Sequence, residues 1–260
     1  MKKCVAVVSC LVFVCCTGMV SAQEKQHLEL LLRSRNDAKP PRLQYESARW
    51  EPHETAIIVC DMWNTLRGKV AAERVAEMAP HMNKVLKAAR ARGVLIVHAP
   101  SGTMDYYADT PQRARCLAAP KVETEIPLKW HGLDESREPK LPIDDSDGGW
   151  EGPVEEGTRP QTHQHEAIEI APEDAIGDGP EVYYLLEARG IENVILVGVH
   201  TNMCVLGRPF GIRALVKRGK NVVLMRDMTD SLYNPAKPPH VSHFRGTELV
   251  VEHIEKYWCP

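Results

Sequence analysis

The sequence predicts a three-layer αβα fold built on a mostly parallel, Rossmann-like sheet, and three observations lead there. Short continuous runs rich in Val and Ile recur along the chain, as expected of strands covered on both faces. Segments with apolar residues at helical spacing separate them. The first two runs and the segment between them form a βαβ unit within about forty-five residues.

Taken in order, residues 1–22 read as a secretory signal peptide. Lys2 and Lys3 precede an apolar run from Val5 to Val20, and Val20-Ser21-Ala22 supplies a small-residue cleavage site. The apolar core is short for a membrane anchor, so the expectation is an exported protein, periplasmic or extracellular, with no stable membrane span after cleavage. Residues 23–54 read as a polar N-terminal arm with one helix-like run, His27 to Leu32. The domain proper is expected at 55–260. Thr55 to Cys60 is a buried strand ending at Asp61, and Val70 to Arg92 is an amphipathic helix stopped by Gly93. Val94 to Val97 is a second buried strand ending at His98. A right-handed crossover then brings Asp61 and His98 to one edge of the sheet, where open α/β folds bind ligands.

Residues 101–164 lack periodicity and are rich in Pro and Gly, which suits a long functional insertion, read here as a lid. Its acidic run, Asp144-Asp145-Ser146-Asp147, lacks the spaced ligands of a calcium loop. Ala167 to Ile170 alternates like a short strand, and Pro180 to Arg189 forms a helix before the strand Val194 to Val199. Val205 to Arg218 reads as one helix, with Arg208 and Arg213 five residues apart, exposed by default unless one reaches an anionic substrate or a partner subunit. Asn221 to Met225 is a further strand, and Leu249 to Val251 either a last strand or the start of a C-terminal helix.

With 260 residues, 43% hydrophobic and 26% charged, the chain suits one ordinary domain. Loss of residues 1–22 removes two lysines and no acids, moving the net charge from −3 to −5, which excludes the basic footprint of a nucleic-acid binder. Four cysteines then remain, Cys60, Cys116, Cys204 and Cys259, too few for a disulfide framework or a zinc finger. Cys116 with Cys259 is the pair an exported protein could oxidise. Cys60, inside an apolar strand, reads as a small buried hydrophobe.

Chemistry gathers at the strand ends. The strand closing at Gly198 leads through a turn to Cys204 and into helix, so the thiol meets free backbone N–H groups and a helix N-terminus, which favour the thiolate and lower its pKa from about 8.5. Asp61, on the same edge, can take the thiol proton and return it to a leaving group. N–H groups of the turn can hold an oxyanion. A buried inert cysteine beside a capping aspartate is the alternative.

The segments Ala56 to Met62 and Gly198 to Val205 resemble the signature of the isochorismatase-like cysteine hydrolases, the group that includes nicotinamidases and N-carbamoyl amide hydrolases. The resemblance covers roughly residues 55–100 and 167–230. It implies an αβα fold, a Cys, Asp, Lys triad acting on a carbon next to nitrogen, a cis peptide before His200, and an oxyanion hole from the N–H groups of His200 and Cys204. Cys204 carries over as nucleophile and Asp61 as base. The family lysine would fall close to Ile170-Ala171-Pro172-Glu173, where none stands, and its loss should raise the pKa of both acidic groups. Lys129 ranks first as its replacement, followed by Lys140, His163 or His165, or a metal held among Asp61, His98, His131, His163 and His165, whose spacings match no strong metal motif. His200, Thr201, His98 and Trp130 are the candidate oxyanion and substrate-binding residues. The reading is a hydrolase of a non-peptide C–N bond in a small amide or carbamoyl compound, with no cofactor and no metal; the alternative is a binding protein that has kept the fold and lost the chemistry. A homo-oligomer is left open.

Overall fold

The computed structural model describes residues 27–154, 157 and 159–260, so the segment read as a signal peptide lies outside the described residues. The arm is a β-hairpin, β1 (Leu28–Arg35) paired antiparallel with β2 (Leu43–Trp50), and the helix-like run at His27 to Leu32 is a strand. Leu28, Leu32 and Trp50 pack on the core, and pairing along all eight residues of β1 outweighs the local helical spacing. Arg33 and Arg35 tie the hairpin to Glu255.

Five parallel strands follow: β3 (Thr55–Cys60), β4 (Leu95–Ala99), β5 (Ala175–Ile176), β6 (Asn193–Val199) and β7 (Asn221–Asp230), in the spatial order β5-β4-β3-β6-β7. Alternate residues of each strand feed two cores. Ile57, Val59, Ile96 and Val197 face α1 (Lys69–Arg90) and the hairpin. Ala56, Ile58, Val97 and Leu196 share the other core with α3 (Pro180–Ala188), α4 (Ile212–Lys217) and α5 (His243–Tyr257). This is the three-layer αβα arrangement. The chain runs outward from β3 through β4 to β5, then returns to β6 on the far side of β3. The order therefore reverses between β3 and β6, and their carboxyl ends are the place where such sheets bind ligands.

Several expected elements differ. Ala167 to Ile170 is a turn region, and the edge strand is Ala175–Ile176, which supplies the hydrogen bonds to β4. Of the two readings of Leu249 to Val251 the helical one holds, since the segment lies inside α5. β7 runs five residues beyond the expected strand, because Gly198 and Val199 pair with Thr229 and Asp230 after an irregularity in the ladder. Cys116 and Cys259 are both free and buried, Cys116 beside Gly177 and Cys259 at the end of α5, so the suggested disulfide is not formed. No helix among the described residues is long and apolar enough to cross a membrane.

The 101–164 insertion carries α2 (Pro111–Leu117) and is anchored to the domain. Glu138 is buried and bonds Arg213 of α4 at 2.7 Å and His253 of α5 at 2.7 Å. Burial raises its pKa, but the bonds from His253 and Arg213 outweigh burial and bring it to about 2 from an ordinary 4.5. A carboxyl depressed in the fold contributes stability in full above its unfolded value and loses it as pH falls through the folded one. Stability should therefore decline as pH drops from about 4.5 towards about 2. Glu138→Ala, which strands Arg213 in the interior, should cost about 3–5 kcal/mol in urea unfolding at neutral pH. Unchanged stability would contradict the anchoring.

Candidate active site

The site is assembled at the ends of β3 and β6. Asp61, the first residue past β3, is fully buried and holds a left-handed backbone (φ 50°) that non-glycine residues adopt at some cost. The conformation turns the chain sharply, with Trp63 N–H donating to Asp61 C=O at 2.9 Å. Oδ1 accepts the Ser101 N–H at 2.8 Å, and Oδ2 accepts Arg208 Nε at 3.2 Å and Nη2 at 2.9 Å. Cys204 lies close enough to this carboxylate and to the guanidinium for both to act on the ionisation of its thiol. Cys204 and Arg208 are both half-buried.

Sequence around Cys204 explains how Arg208 gets there. Gly198 sits at φ 104° so close to β3 that a Cβ would lie 2.0 Å from Cys60 O, which excludes any side chain. The Val199–His200 peptide is cis, and Thr201–Val205 forms a single π-helical turn. The expected helix from Val205 to Arg218 is broken. Gly207, Pro209 and Gly211 interrupt it, α4 starts at Ile212, and Arg208 N–H still caps Cys204 C=O at 3.0 Å. Arg208 thus lies one turn past the thiol, on the side that faces Asp61. Arg213 is buried on Glu138, so neither arginine is a solvent-exposed helix residue.

Both acidic groups are raised, the direction expected from the absent lysine, and for Cys204 this opposes the lowering expected from the turn and helix terminus. Burial drives the Cys204 thiol pKa upward, the adjacent Asp61 charge drives it further, and Arg208 only partly opposes them. Asp61 is likewise raised by burial and lowered in part by Arg208 and Cys204. This direction favours a protonated resting thiol and opposes the thiolate expected from the helix terminus.

The other predicted residues fall in different places. Lys129 is exposed, beside a stretch held by Arg218 through the carbonyls of Ile126 and Pro127, and Arg208 is the cation bonded to Asp61. His98 is fully buried with both ring nitrogens engaged, by Gln164 Oε1 at 2.9 Å and Asp174 Oδ2 at 3.0 Å, so it braces the scaffold. Lys140 is also exposed. The Thr201 hydroxyl meets Thr229 Oγ1 at 2.7 Å, which in turn donates to Gly198 C=O, bracing the turn. His200 is buried under the edge of Trp150, its pKa pushed down to about 4 by desolvation. Trp130 lies against the Cα of Gly207, next to Arg208. His131 meets Pro127 C=O and His163 meets Glu166, and among the described residues no group of three or more His, Cys, Asp or Glu side chains converges as a metal site would require.

Sequence reasoning missed Asn202. Its Nδ2 donates to Asp145 Oδ2 at 2.8 Å and Leu232 C=O at 3.1 Å, and its Oδ1 accepts Leu232 N–H at 2.8 Å. With Trp130 on Gly207 and Trp150 on His200, this makes the insertion a clasp around the cysteine turn. A buried amide directly before a nucleophile turn is the signal that could have found it.

The Isochorismatase domain model matches residues 144–249, a span that holds Cys204 and Arg208 but not Asp61. No curated protein sequence matches the chain. Among solved structures, the chain is similar to a cysteine hydrolase from Pseudomonas syringae pv. phaseolicola 1448A, with 20% identity, 78% of this chain and 85% of that chain covered, and a TM-score of 0.50. It is also similar to an isochorismatase family protein from Desulfovibrio vulgaris (18% identity, 77% and 89% covered, TM-score 0.45) and to the pyrazinamidase of Pyrococcus horikoshii (18%, 77% and 96%, TM-score 0.41). The first of these likenesses shows the αβα fold.

Removing the Asn202 amide strips three hydrogen bonds from a buried position. Asn202→Ala should lower stability by about 2 kcal/mol and Asp145→Ala by about 1 kcal/mol in urea unfolding. Equal effects of the two would argue against Asn202 as the hub.

Proposed function

On the premise that the chain carries an isochorismatase-like domain in an αβα hydrolase fold, we propose that it is an exported cysteine hydrolase that cleaves a non-peptide C–N bond in a small amide or carbamoyl compound. The observation that carries this reading is that Cys204 is brought beside a fully buried Asp61 where the strand order reverses, at the adjacent ends of β6 and β3.

In the reaction Asp61 takes the thiol proton as the sulfur attacks the carbonyl carbon. The oxyanion that forms is held by backbone N–H groups of the turn between Val199 and Cys204, those of His200 and Cys204 by family resemblance. Collapse breaks the C–N bond, and the amine leaves with the proton returned by Asp61. Water, deprotonated by Asp61, then releases the acid from the thioester. Because the thiol rests protonated, its activation belongs to the attack itself. Trp130, exposed beside Gly207, is a candidate wall for the substrate. Export rests on the apolar run of residues 5–20. The alternative of a fold without chemistry rested on the empty lysine position. Arg208 on Asp61 supports the catalytic reading instead.

The test is a screen of the mature protein against small amides and carbamoyl compounds, repeated with Cys204→Ala and Asp61→Asn. Each substitution should lower the rate by about a thousandfold or more. An activity that survives Cys204→Ala would overturn the mechanism.

A further inference from the structure

We propose that Arg208 is the fixed cation of this site, holding the single negative charge that Asp61 and Cys204 pass between them. The proposal rests on the Cys204 and Asp61 reading above and adds a third working residue to it.

The argument starts from burial. A carboxylate with no exposed surface requires a compensating charge, and Arg208 donates two hydrogen bonds to Asp61 Oδ2 while Ser101 N–H occupies Oδ1. On the same turn Arg208 N–H caps Cys204 C=O at 3.0 Å, which keeps the guanidinium close enough to act on the thiol. In the first step the S–H bond breaks and an O–H bond forms on Asp61, so the negative charge moves from oxygen to sulfur. The cation is bonded to one end of that movement and lies near the other, and the pair keeps one negative charge throughout. Arginine suits the post because its charge persists at every working pH, whereas an ammonium can be discharged when buried. Here the neighbouring acids raise it further above its ordinary range. Among the described residues, Cys60, which precedes Asp61, and Asp178, which accepts the Gly102 N–H at 2.9 Å, are further ionisable groups near this unit. Neither supplies a positive charge. Position supports the role too, since the break at Pro209 ends the turn on which Arg208 and Cys204 lie four residues apart.

The experiment uses iodoacetamide as the probe, with the Cys204 peptide followed by mass spectrometry across pH. Cys60, Cys116 and Cys259 are buried, so the half-buried Cys204 is the thiol that reacts first. Arg208→Met should move the acid limb of the alkylation profile up by about one to three pH units and slow labelling at neutral pH about tenfold or more. Arg208→Lys, which keeps the charge but loses the paired donors, should keep the limb within about half a unit. Arg208→Met leaves Asp61 buried without a counter-ion and risks the fold, so the charge-neutral Asp61→Asn/Arg208→Met protein completes the cycle. There the Arg208 substitution should still slow labelling relative to Asp61→Asn alone, but by a clearly smaller factor than in the presence of Asp61. A profile unchanged in Arg208→Met, or an equal effect with and without Asp61, would overturn the proposal. A profile unchanged in Asp61→Asn would instead overturn the general-base reading on which it rests.

Discussion

A buried carboxylate that must remain ionised is the constraint on which the rest of the site depends. Asp61 has no exposed surface and sits beside a thiol whose own ionisation it opposes. Left alone, such a pair would hold both its protons and do nothing. The Asp61–Arg208 contact resolves this, and many local features follow from making it. The left-handed residue after β3 aims the carboxylate, the glycine at 198 lets β6 approach β3, and the interrupted helix after Cys204 returns the guanidinium to the sheet edge.

The fold concentrates these groups without a large conformational demand. β3 and β6 are hydrogen-bonded neighbours, so two distant parts of the chain deliver a carboxylate and a thiol to adjacent positions. The insertion at 101–164, expected to be a lid, grips the nucleophile turn at Asn202, Gly207 and His200 and is itself fastened through Glu138.

Much of this was legible in the sequence. Asp61 and Cys204 stood out because each ends a continuous apolar run, and a parallel sheet places such ends together. The cis peptide at His200 followed from the motif around it. Arg208 was not legible, because an uninterrupted helix through Val205 to Arg218 would point it to solvent. The π-turn that redirects it is not encoded in periodicity, whereas Pro209 between Gly207 and Gly211 was a readable signal that the helix breaks there. Lys129 drew attention through its aromatic neighbours, yet Trp130 reaches the site edge while the lysine faces water. The hairpin was missed for a similar reason: clustered leucines carry helical and strand spacing at once, and only the partner strand decides.

The central claim is that the nucleophile rests as a neutral thiol and is deprotonated by Asp61 as it reacts. The most direct test is the ultraviolet thiolate absorbance of the native protein minus that of Cys204→Ala, followed as a function of pH. The account predicts no thiolate signal from Cys204 at neutral pH, and none until well above the ordinary thiol value of about 8.5. A Cys204 thiolate already present at neutral pH would contradict it.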